Sequence, residues 1–361
     1  MADTYEMFKL IMGIIASIFI LAVLLNYATS YAKVQRETQR MMLLKNMDKA
    51  IADVYQTGNG LEFDFSRQPM DIAVTGEGLV AFGELDNLLK LPTRVPVLFQ
   101  HGDRLQIERS TLDYGFWQFR YVTALPALTI LFTIDSPAAM TRALAATKAF
   151  PETVPQKPSL VFGFCNGNTI VRPCANGFCN REDFIATLDI LKRGGLVPMA
   201  ACTAPLETTT RLATFSSVCG AGGVCFRPDT TTFNAKAGGK DFFVKDGVDM
   251  IALILGGMGT SVFGGEAEAL FTQKNTAFAA ELRPLALLLR DRTQLMAQNY
   301  RALGGDDNSR CAGIYQSMVA PFQELSQLLT AEYYKSPSTT VQAKLTGLQA
   351  NHQRLKENGC L

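Results

Sequence analysis

The chain is 361 residues long, with 34 Lys and Arg against 33 Asp and Glu and a net charge of +1. That balance excludes the basic footprint of a nucleic-acid-binding protein and gives no electrostatic bias toward acidic substrates. With only two histidines, His101 and His352, a His-rich metal centre is excluded as well.

Residues 1–9 form a short N-terminal segment. From 10 to 32 there is no charged residue, and residues 10–25 read LIMGIIASIFILAVLL, with only Gly13 and Ser17 interrupting the apolar run. About 20 helical residues at about 1.5 Å each cross a hydrocarbon core of about 30 Å, so residues 10–32 predict a transmembrane anchor whose partner is the lipid bilayer. A cleaved signal peptide competes, because the Ser30-Tyr31-Ala32 stretch offers small residues, Ser30 and Ala32, after the run. Against it, Asp3 and Glu6 outnumber Lys9, the run is long, and no Pro or Gly occurs between Gly13 and Gly58.

The helix is expected to continue as an amphipathic stalk over residues 33–55. Val34, Met41, Leu44, Met47, Ile51 and Val54 recur at spacings of three, four or seven, with Arg36, Glu37, Arg40, Lys45 and Asp48 on the polar remainder. Packing on the protein's own head is the preferred reading of that stripe. Self-association or another protein partner is the alternative.

Residues 56–150 read as a small antiparallel β domain. Apolar or alternating runs at 61–65, 71–74, 79–82, 95–99, 105–108, 116–122 and 128–133 are strand candidates. Ser136 then supplies an N-cap hydroxyl and Pro137 a first-turn proline for a helix over 137–148. The Pro-rich stretch 150–158 is the candidate linker.

Residues 158–262 have a βαβ rhythm. A buried-type strand at 159–164, an amphipathic helix at 181–193, and strands at 195–201 and 248–255 predict a Rossmann-like, mainly parallel α/β domain. Residues 263–361 are helical: a long stretch over 266–303 interrupted at Pro284, a loop at 304–309, and a C-terminal hairpin. Its arms are 313–333, with Pro321 as a possible kink, and 339–357, joined by a turn at 335–338 that carries Pro337. The fold class is therefore mixed, α+β followed by α/β.

The cysteines number eight, an even count. Cys311 precedes the first hairpin arm by about as many residues as Cys360 follows the second, so an antiparallel hairpin would bring them together within disulfide reach. The other six, Cys165, Cys174, Cys179, Cys202, Cys219 and Cys225, crowd Gly- and Asn-rich stretches where cross-links would stiffen the backbone. Their connectivity stays open. Zinc is the alternative, but no close C-x2-C knuckle occurs, and the missing C-x-x-C also argues against a thioredoxin-like redox centre.

Two arguments about sidedness collide. Lys33, Arg36, Arg40, Lys45 and Lys49 follow the apolar run against Lys9 before it, which would place the body in the cytoplasm. Disulfides require an oxidising compartment, and long domains translocate largely regardless of flanking charge. The body is therefore expected outside the cell membrane.

Chemistry is sparse. Asp135, Asp249, Glu266 and Glu268 are carboxylates without a recognisable motif, each with a structural role available, and no cofactor or metal is implied. A ligand site, if present, would lie at the carboxyl edge of the α/β sheet, at Asn166, Asn168 and Thr203 together with Gly257, Gly259, Thr260 and Ser261 of a Gly-rich turn after the third strand. Two functions remain. One is a single-pass, membrane-anchored structural or interaction protein, a component of a cell-surface assembly and not an enzyme. The other is a tethered domain binding a ligand or peptide at that edge.

Overall fold

The computed structural model describes residues 2–66, 72–75, 78–82, 88–91, 95–151, 160–174, 179–195, 201–207, 209–219, 223–228, 234–256, 266–330, 332–335 and 339–361. Helix α1 (Ala2–Thr57) is unbroken for 56 residues. Its two halves meet different surroundings. Residues 7–36 are exposed along their whole length, whereas Leu44, Met47, Ile51 and Val54 are buried against the head. The lower stripe thus packs on the chain's own sheets, and Val34 at its upper end stays exposed.

That lower stripe rests on a four-stranded mixed sheet. Its order is β1 (Leu61–Asp64), β6 (Arg104–Asp113), β7 (Gln118–Leu125), β5 (Val97–Phe99). The β5–β7 pair is parallel and the others are antiparallel. A separate antiparallel meander, β2 (Ile72–Thr75), β3 (Gly78–Phe82) and β4 (Leu88–Leu91), lies beside α1 and the long helix α5 (Glu266–Leu303).

The second mixed sheet has seven strands. In spatial order they are β10 (Thr169–Val171), β9 (Leu160–Asn166), β8 (Leu128–Ile134), β11 (Thr210–Phe215), β12 (Val224–Phe226), β13 (Ala235–Ala237) and β14 (Lys240–Phe242). The central four, β9, β8, β11 and β12, run parallel. Residues 128–134, grouped by sequence with the first sheet's strands, therefore belong to this sheet instead. Helix α2 (Pro137–Ala149) crosses from β8 to β9, and it starts as its sequence requires: Ser136 Oγ accepts from the Ala139 amide at 3.2 Å. Helix α3 (Arg181–Arg193) packs beside α2, and its Phe184 ring meets Phe132, Phe162 and Phe164. A Cβ at Gly163 would meet the Val171 carbonyl oxygen at 3.0 Å, a Leu131 methyl at 3.2 Å and the stem of Arg172 at 3.5 Å.

One expected strand is a helix. Residues 248–255 form the body of α4 (Gly247–Gly256), and every residue from Val248 to Leu255 is buried. An eight-residue apolar run carries no period that separates a buried strand from a buried helix. The tertiary surroundings decide it: α4 sits between β5 of one sheet and β11 of the other, flanked by α2 and α5. A helix apolar on every side but that of Asp249 fits such a slot. The third helix-connected parallel strand is β11 instead, and the strand expected over 195–201 falls outside the described residues except at its ends. So do most of the linker at 150–158 and the turn around Pro337.

Gly247 sets the α2–α4 approach, since a Cβ there would lie 2.6 Å from the Ala145 carbonyl oxygen and 2.7 Å from the Ala149 Cβ. Gly247→Ala is expected to force the helices apart and cost about 1–3 kcal/mol, read as a lowered urea midpoint with an unchanged slope.

The C-terminal region is helical, as its periodicity indicates, with different boundaries. Helix α5 passes through Pro284 without a break. Gly304 and Gly305, both at positive φ, make the whole connection, and α6 (Asp306–Leu328) starts at once. Cys311 consequently lies inside α6 and not ahead of it. A 3-10 turn (Tyr333–Lys335) leads to α7 (Thr339–Glu357).

Candidate functional site

The carboxyl edge of the parallel strands is tied to itself. At the end of β8 the Asp135 carboxylate accepts from Ser216 Oγ (2.6 Å) and the Ser217 amide (3.1 Å), which fastens the loop after β11. At the end of β9, Cys165 is bonded to Cys202 with a Cα separation of 5.3 Å. Gly167 then bridges to Cys202, its carbonyl accepts the Thr203 amide at 2.8 Å, and Thr203 Oγ1 donates to Asn168 Oδ1. Asn166, Asn168 and Thr203 are thus gathered at one edge, exposed, with Asn168 and Thr203 spent on each other. Gly257, Gly259, Thr260 and Ser261 lie outside the described residues, and the segment they belong to follows a helix, not the strand expected there.

All eight cysteines pair: Cys165–Cys202, Cys174–Cys179, Cys219–Cys225 and Cys311–Cys360. Among the described residues, no group of three His, Cys, Asp or Glu side chains is placed to hold a metal ion. Of the other carboxylates singled out, Glu266 opens α5 and Glu268 pairs with Lys240 on the surface. His352 lies on α7 against Gly115, and burial pushes its imidazole below the usual range.

The strongest electrostatics lie elsewhere, where α4, α5 and the β6–β7 turn meet. Lys274 on α5, 2 % exposed, donates to Asp246 Oδ2 at 2.5 Å and to Asp249 Oδ1 at 3.0 Å. Asn275 Nδ2 adds a bond to Asp249 Oδ1 (2.7 Å), while Tyr333 donates its hydroxyl to Asn275 Oδ1 (2.6 Å) and Tyr114 to Asp246 Oδ2 (3.4 Å). Asp246 also caps α4, accepting the Asp249 amide at 2.9 Å. Aromatic rings close the cluster, with Lys274 Nζ 5.9 Å from the Phe119 centroid and 5.1 Å from that of Phe278.

Burial pushes the Asp249 carboxyl upward, with the neighbouring Asp246 charge acting the same way. Burial alone would lower Lys274, but the attraction of Asp246 and Asp249 outweighs it and its pKa is raised. Burial likewise raises Tyr114 and Tyr333 well above the ordinary phenol. A lysine or tyrosine that holds its proton more tightly when folded contributes stability that is complete below about pH 10 and is lost as pH rises further.

Comparison with protein-family models, curated proteins and solved structures finds no match. The geometry must therefore carry the functional reading. The cluster joins five segments of chain, and every acidic oxygen in it named above already accepts a bond, which is the arrangement of a structural joint. Its sequence signal was available: Lys274 shares a helical face with Leu270, Phe271 and Phe278, where a charge has to find buried partners.

The remaining functional feature is α1. Its apolar half is long enough to cross a membrane and no part of it is buried in the head. Tyr27 and Tyr31 stack at 6.4 Å near its end, the kind of residue that marks a membrane interface.

Proposed function

We propose that this is a single-pass membrane protein whose disulfide-bonded body stands outside the cell membrane and serves a structural or interaction role, as a component of a cell-surface assembly. The observation that carries the reading is the division of α1. One continuous helix leaves residues 7–36 bare and apolar for most of their length and buries residues 44–54 in the head, so the bare half requires lipid or protein around it. Four disulfides support an oxidising compartment for the body, against the direction of the flanking charges. The parallel core β9-β8-β11-β12 with its α2 crossover supports a Rossmann-like reading of that part of the body. Its carboxyl edge, cross-linked and hydrogen-bonded to its own loops, favours the interaction role over a ligand-binding crevice there.

The test uses the full chain in its own membrane. It is expected to resist alkaline extraction, to be digested by protease added to the extracytoplasmic face of sealed vesicles, and to show no maleimide-reactive thiol when denatured without reductant. Eight reactive thiols, or a body protected until the vesicles are opened, would overturn the sidedness. Mild-detergent isolation then identifies the partner that co-purifies.

A further inference from the structure

Helices α1 and α2 end side by side on the β6–β7 hairpin, and between their ends lies a cleft of about 450 Å3, within the usual size of small-molecule sites. Each helix end is capped by an arginine. Arg109 of β6 donates from Nη1 to the carbonyls of Tyr55 (3.3 Å) and Gln56 (3.2 Å), and Arg181 donates from Nη2 to the Lys148 carbonyl (2.8 Å). Tyr121 completes the second cap through its hydroxyl on the Ala149 carbonyl at 2.6 Å. A helix C-terminus carries about half a negative charge, so the whole guanidinium charge of Arg109 overcompensates at the end of α1, whereas that of Arg181 is also shared with Glu182.

The surplus is positive and fixed in place. Arg109 uses only Nη1 on the caps, and its Nε–H and Nη2–H donors bond no described residue. Its plane is held by Gly58, whose Cβ, if it had one, would lie 2.3 Å from Nη2, and which sits at φ +80°. Lys148 and the hydroxyl residues Ser110 and Thr111 also line the cleft. Of the acids nearby, Glu182 pairs with Arg181 at 3.2 Å. Glu108 also lines the cleft, and burial pushes its carboxyl up.

We propose that this cleft binds a small organic anion, a phosphate or carboxylate group taken by the Nε–Nη2 fork of Arg109 and steered by Lys148 and Arg181. A fork of parallel N–H donors matches either oxyanion. The source is a soluble or surface-displayed anion and not a lipid headgroup. Thr57 stands more than 20 residues beyond Tyr31, about 40 Å along the helix axis, so the cleft is far from the bilayer if residues 10–32 span it. Only that exclusion of lipid rests on the membrane reading.

Titration calorimetry of the detergent-solubilised full chain with inorganic phosphate and, separately, with succinate, both at constant ionic strength, tests the site. Saturable binding of either is expected, and the tighter of the two identifies the anion. Lys148→Gln, which removes an ammonium that bonds no other side chain among the described residues, should weaken it about two- to fivefold. Arg109→Lys keeps the charge but loses the fork and should weaken it about tenfold or more. No saturable binding to the wild type, or binding unchanged in both variants, overturns the proposal. The titration uses no bilayer, so that failure would leave the membrane reading standing.

Discussion

Lys274→Met is expected to destabilise the fold by about 3–5 kcal/mol, the cost of leaving a buried ion cluster without its cation. Methionine keeps the apolar stem against Phe119 and Phe278, so the loss reports charge and not volume. Asp246 and Asp249, 8 % and 0 % exposed, would then face each other with only Asn275, Tyr114 and backbone amides as donors. The folded-state pKa of Asp249, already raised by burial, would rise further above the unfolded one. A carboxyl with a raised folded pKa binds its proton more tightly when folded, so its effect destabilises as pH rises from the unfolded pKa and is relieved as pH falls. The variant should therefore recover part of its deficit between pH 8 and pH 5, measured by urea midpoints at both. Adding Asp249→Asn should recover part of it at pH 8. A variant as stable as the wild type at pH 8 would mean that the cluster is not buried as described.

Replacing Cys311 and Cys360 together by serine is expected to cost about 4 kcal/mol, because the bond closes a loop with a sequence separation of 49. The same chain-entropy relation gives about 2 kcal/mol each for Cys174–Cys179 and Cys219–Cys225, with separations of 5 and 6. The ordering is thus a stronger test than any one value. Locally, the pair anchors the end of α7, where Tyr300 and Tyr315 donate their hydroxyls to the Cys360 carbonyl at 3.0 and 2.9 Å. Hydrogen exchange should therefore speed up first in α7 and the last turns of the chain. Denaturant midpoints for the three double-serine variants decide the matter, and an equal cost for long and short loops would refute the entropic account.

Legibility followed how local each signal is. The α2 start at Ser136–Pro137, the bounds of α3, and the strands from β1 to β9, apart from β4, could be read from short stretches because a cap hydroxyl, a proline or an alternation acts within a few residues. Strands β10 to β14 escaped. Four of these five are three residues long, and their apolar positions gain meaning only from the neighbours they pair with. The same limit applies to the sites. Asn168 and Thr203 could be placed at one sheet edge, but that they bond each other depends on Cys202 crossing to Cys165.

By itself the sequence determined the apolar span, the amphipathic continuation of α1, the pairing of Cys311 with Cys360 and the helical C-terminal third. Each rests on periodicity, length or symmetric spacing along the chain. Only the tertiary structure decided that residues 248–255 coil, that β8 joins the larger sheet, that Lys274 bridges Asp246 and Asp249, and that Arg109 and Arg181 cap two helices at one cleft. The reason is physical: a buried apolar run takes the shape of the slot it fills, and a buried charge is kept by partners that only folding brings within 3 Å or so.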